Sequence, residues 1–145
     1  MLTDALGTFS NQQAITATAA STDVIDFGAG GTPTPGHTVA LTRDLGKGQA
    51  IMIRVQVTET FATLTSLTVS VQTDDNSGFS SATTVIATQA IPVASLVAGY
   101  VFNITEVPLL TTERYVRLNY TVAGSNATAG KIFASVVESH QLSFP

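Results

Sequence analysis

The chain is 145 residues long, enough for one domain with a real core, since a domain of that size removes roughly 70% of its unfolded surface from water. Only 11% of its residues are charged, against about 25% in ordinary globular proteins, while 44% are hydrophobic. Net charge is −4, the cations Arg43, Lys47, Arg54, Arg114, Arg117 and Lys131 are scattered, and there is no cysteine; this speaks against a nucleic-acid groove and excludes disulfides, thiolate metal sites and thiol nucleophiles.

In chain order, the first element is a short apolar stripe. Leu2, Leu6 and Phe9 stand at i, i+4 and i+7 with Ala5 alongside, which predicts a short helix capped by Thr3 or Asp4. Gly7 opposes that helix by about 1 kcal/mol relative to Ala. Two readings stay open: a segment folded back on its own domain, or an extended arm within residues 1–20 that docks on a neighbour. Leu2, Leu6 and Phe9 are the candidate partner-binding residues.

From there the period is two. Ile51, Ile53, Val55 and Val57 alternate with polar neighbours across Gln49–Glu59, and Leu67, Val69 and Val71 do so across Thr65–Thr73. Tyr100, Phe102 and Ile104 share a face, as do Val116, Leu118, Tyr120 and Val122, and then Ile132, Ala134 and Val136. Such alternation marks half-buried antiparallel strands. Weaker strands are expected at Gln13–Ala19, Thr22–Phe27, Thr38–Leu41 and Thr84–Ala90, and a helical turn within Pro92–Gly99. Turns are expected at Gly28–Gly31 with Pro33 and Pro35, at Asp44–Gly48, at Asp74–Gly78, and at Gly124–Asn126 with Gly130. The whole, residues 1–145, predicts a single all-β domain: an antiparallel sandwich or jelly-roll of eight or nine short strands with at most one short helix. The longest apolar stretch, Pro92–Phe102, is too short to span a bilayer, so no membrane partner is expected.

No set of residues carries catalytic chemistry. His37 and His140 stand alone, without metal-ligand spacing, and no nucleophile elbow or phosphate-binding glycine loop occurs. Asp74–Gly78 offers oxygen atoms to a calcium ion but lacks the distal glutamate of an EF-hand, so a turn is the better reading. Asp23 and Asp26 read as turn or edge charges rather than an acid/base pair. Tyr100 and Tyr120 fall on core faces, leaving Tyr115 as the exposed candidate for sugar stacking. The expectation is no enzyme, no cofactor and no metal. Sparse charge leaves sheet edges with few protecting residues, which predicts a homodimer or other small oligomer.

Met1–Leu6, Ala14–Gly28, Gln72–Phe79 and Arg114–Val122 together resemble the cement, or head-decoration, proteins of short-tailed double-stranded DNA phages of the Bordetella phage type. The resemblance spans nearly the whole chain. It implies a jelly-roll on the outer surface of a virion that bridges subunits of the major capsid protein, commonly as a dimer, with no cofactor. Before assembly such a protein resides in the host cytoplasm. The alternative class is a carbohydrate-binding or adhesin-type sandwich.

Overall fold

The computed structural model describes residues 4–31, 36, 38, 44–45, 47, 51–108 and 111–137. Among these the strands are β1 (Thr8–Ala14), β2 (Ala19–Ala20), β3 (Ile25–Asp26), β4 (Met52–Asp74), β5 (Thr83–Ala87), β6 (Ile91–Pro92), β7 (Val101–Ile104) and β8 (Tyr115–Val137). Among the described residues the only helical pieces are two 3-10 turns, Ala5–Gly7 and Val93–Ser95. All pairings are antiparallel. The all-β, antiparallel architecture expected from the alternation is therefore present.

Its layout differs from a stack of uniformly short strands. β4 and β8 are each 23 residues long and pair along most of their length. They run through two half-sheets. In the first, β1 and β7 flank the Met52–Glu59 part of β4 and the 131–137 part of β8. In the second, β2 and β3 flank the start of β8, while β5 and β6 flank the end of β4. Inward side chains of both halves meet in one core. Ile53, Val55, Val57, Ile132 and Ala134 come from the first, and Leu67, Val69, Val71, Val116, Leu118 and Tyr120 from the second; all are buried. A hydrogen bond between Ser10 Oγ on β1 and Tyr120 Oη on β8 (2.7 Å) ties the halves together. The expected two-layer packing thus takes the form of one hydrogen-bonded sheet folded across itself.

The bend lies where turns were expected. Leu64 pairs with Gly124 and Ala62 with Ala129, so Ser125, Asn126, Ala127 and Thr128 stand opposite the single Thr63. Strands switch layers through such bulges because the extra residues break the ladder and redirect the chain. Gly124 and Gly130 have φ of +82° and +134°. A Cβ on Gly130 would lie 2.3 Å from the Phe61 ring, so that ring packs directly on bare backbone. The turn predicted at Gly124–Asn126 and Gly130 is therefore a bulge inside one strand. Its glycines serve close approach and positive φ rather than chain reversal.

Other expectations are corrected in detail. Gln13–Ala19 is not a strand of its own; β1 begins earlier, at Thr8, and ends at Ala14. Thr22–Phe27 contributes only Ile25–Asp26. The turn in Pro92–Gly99 is 3-10, and it buries Leu96 completely while leaving Val97 exposed. The predicted strand at Thr38–Leu41 lies largely outside the described residues. So do Leu2, His37 and His140.

Candidate functional site

Of the predicted stripe, Leu6 and Phe9 do not share a helix face; Leu2 lies outside the described residues. Asp4 caps the 3-10 turn by accepting the Leu6 N–H (3.0 Å), and the chain turns extended at Thr8. A helix this short is marginal without packing, and β8 offers β1 a ladder instead. The switch in period sends the side chains apart. Phe9 points inward and is 1% exposed, a core residue; Leu6 points outward at 84%. Phe9 is therefore unavailable to a partner in the folded domain.

Leu6 has other companions. It lies at the rim of an apolar hollow of about 360 Å³ lined by Asp4, Leu6, Gly7, Ile25, Phe27, Ile51 and Val136. Ile51 and Val136 continue the inward rows of β4 and β8, and Ile25 packs on the core from β3. The hollow is the open end of the folded sheet, where core side chains reach the surface. Phe27 is 38% exposed beside it. Sequence reading missed Ile25, Phe27, Ile51 and Val136 because each belongs to a regular strand pattern. Only Phe27, an aromatic residue at the mouth of a glycine-rich loop, carried a local signal.

One flank of this end is braced by charge. Arg114 grips Asp26 through Nε (2.6 Å) and a terminal nitrogen (2.7 Å), and its guanidinium lies 4.9 Å from the Tyr115 ring centre. The hydrogen bond to the Asp26 carboxylate raises the arginine pKa further, so the guanidinium keeps its charge. Phe27 N–H donates to the Arg114 carbonyl, which fixes the exposed ring relative to the ion pair. Tyr115, the candidate sugar platform, has its face occupied by this guanidinium.

The Asp74–Gly78 segment is a self-satisfied turn. The Asp74 carboxylate is buried and accepts from Asn76 N–H (2.8 Å), Ser81 N–H (2.7 Å) and the Ser81 hydroxyl. The Asn76 amide, ahead of the Ser81 donors, holds its pKa below the usual carboxylate range despite burial. Its oxygens are spent on the chain itself. Among the described residues no group of three His, Cys, Asp or Glu could hold a metal ion. No described helix is long and apolar enough to cross a membrane.

The chain is an all-β, antiparallel domain. The family model for Bbp16 matches residues 9–136, and the chain belongs to the Bbp16 family. No curated protein matches the chain.

Proposed function

We propose that this protein is a structural virion component, a decoration protein that binds the outside of a phage head and bridges its major capsid subunits. Membership of the Bbp16 family over residues 9–136 carries the reading, and it agrees with the likeness of Ala14–Gly28 and Arg114–Val122 to cement proteins of Bordetella-type phages. The geometry supports it with a hollow whose rim residues Leu6 and Phe27 are exposed although apolar. Exposed apolar groups around a concavity favour a protein partner. Anything that binds the assembled shell better than its separated subunits stabilises the shell by mass action. Self-association as a dimer or other small oligomer belongs to the same reading.

The test is co-sedimentation with heads assembled without this chain. The wild-type protein should sediment with them, and Leu6→Glu or Phe27→Glu should weaken that by about tenfold or more while the circular dichroism spectrum stays that of a strand protein. Each side chain is worth about 1.5–3 kcal/mol when buried. Failure of the wild-type to sediment with heads, together with glycan binding by the isolated domain, would replace this reading with the carbohydrate-binding one.

A further inference from the structure

β5 ends the strand order on the β4 side of the sheet and pairs only with β4. Its second edge meets no other described strand. Thr83, Thr84 and Ala87 are exposed, with Val85 and Ile86 half-buried. One residue on, Thr88 N–H donates to the Val69 carbonyl (2.9 Å). Backbone groups alternate in direction along a strand, so those of Ala87 point away from β4, toward the open side. Two hollows lie along the same strand. One, of about 250 Å³, is lined by Thr83 and Val85 with Pro108 and floored by the buried Thr73 and Thr111. The other, of about 180 Å³, is lined by Ile86, Ala87 and Thr88 and floored by the buried Ile104. Glu113 borders the first, but its carboxylate is engaged by the Thr73 hydroxyl.

An open edge presents a row of N–H and C=O groups that matches another extended backbone. Proteins usually guard such edges with charge. No Asp, Glu, Lys or Arg stands between Asp75 and Glu106, a stretch that supplies β5, β6 and β7. We propose that β5 is a strand-addition site: it takes an extended, uncharged segment of another protein as a further strand, whose alternate side chains enter the two hollows. A charged side chain would be desolvated there against hydroxyl and methyl groups, with no counter-ion. A second β5 fits less well. The register shift between Val71 and Gln72 marks a bulge that twists this edge, and a rigid copy would bring the same twist. A segment not already held in a sheet can follow it. The inference rests on the decoration reading, in which the segment belongs to a capsid subunit. It adds main-chain pairing to the apolar contact at Leu6 and Phe27.

The experiment measures binding to heads assembled without this chain. Ala87→Pro removes the outward N–H and sets a ring in the edge while giving up no bond to β4. It should weaken binding about tenfold or more and melt like the wild-type. Ala87→Thr keeps the N–H and suits a strand, so it should bind like the wild-type. In the wild-type, amide hydrogen exchange over residues 83–90 should slow about tenfold or more on head binding; this measurement decides the case if the proline variant does not fold. Unchanged binding by a folded Ala87→Pro, or unchanged exchange over 83–90 in the head-bound protein, would overturn this inference alone. Equal loss in Ala87→Thr would overturn it too, as a side-chain effect. Exchange that slows with protein concentration in the absence of heads would assign the edge to a second copy and overturn it likewise. No binding by the wild-type would sink the decoration reading and this inference with it.

Discussion

Thr63 inserts its hydroxyl into the bulge of the opposite strand, donating to the Asn126 carbonyl (2.7 Å) and accepting the Thr128 N–H (3.1 Å). It does so from φ of +74°, a region that β-branched residues avoid. Two effects therefore oppose each other at one position. Thr63→Ala removes the hydrogen bonds and keeps the unfavourable backbone, so it should cost about 1–2 kcal/mol. Thr63→Gly removes the same bonds but recovers about 1 kcal/mol of backbone strain, and should lie closer to wild-type. Urea denaturation of the two variants gives the order; a glycine variant less stable than the alanine variant would refute the account.

Gly130 is the tightest point of the bend. Gly130→Ala would drive a Cβ into the Phe61 ring, which is itself 3% exposed, and the expected loss is about 2–3 kcal/mol. In a Phe61→Ala background the clash disappears and only the cost of a side chain at φ +134° remains, so the alanine at 130 should cost less. A double-mutant cycle reads that coupling directly, and additive losses would show that the ring is not what excludes the side chain.

Phe9 and Leu6 should behave oppositely although both belong to the N-terminal stripe. Phe9→Ala empties a core position and should cost about 3–5 kcal/mol. Leu6→Ala changes an exposed side chain and should stay within about 0.5 kcal/mol of wild-type. For the same reason, deletion of residues 1–10 should impair folding and not merely binding.

Tyr120 crosses the core to Ser10, whose own proton goes to Gln13 Oε1 (2.7 Å), leaving the phenol as donor. Tyr120→Phe should cost about 1–1.5 kcal/mol. Burial raises the phenol pKa well above its ordinary value of 10.0. The folded state therefore holds a proton that the unfolded chain releases above pH 10, and stability should fall as pH climbs beyond that point. The Tyr120→Phe variant should lack this part of the alkaline slope in melting experiments.

At the acid end the sign reverses. Backbone amides of Asn76 and Ser81 lower the Asp74 pKa below 3.8, and Lys131 with Gly130 N–H lowers that of Glu59 below 4.5. Each contribution is complete above those values and is lost as pH falls through the lowered, folded ones. Tm should hold steady down to about pH 5 and then drop. Asp74→Asn should start lower and show a shallower acid decline, whereas added chelator should leave the wild-type Tm unchanged.

The strand positions were readable because alternation such as Ile53, Val55, Val57 reports burial directly. The continuity of β4 and β8 was not, since Gly124 and Gly130 signal a turn and a bulge in the same way. Which meaning holds depends on Phe61 and Thr65, distant in sequence. Phe9 was misassigned for a similar reason: spacing of i, i+4, i+7 also fits a strand residue that follows a 3-10 turn, and only pairing with β8 decides. The hollow was hidden because Ile51 and Val136 look like any other core residue; their exposure comes from lying at the end of the fold.

The shared strands also set a timetable. Among the described strands, β1, β2 and β3 pair only with β8, the last of these to be synthesised. At roughly 5–20 residues per second, a nascent chain spends about 5–20 s between releasing Ala14 and reaching Tyr115. Throughout that interval Phe9 and Ile15, both destined for complete burial, have no sheet to join. Folding must therefore wait for the C-terminal strand, and a stalled or truncated message would yield a product with its apolar N-terminal segment still open to chaperones and proteases.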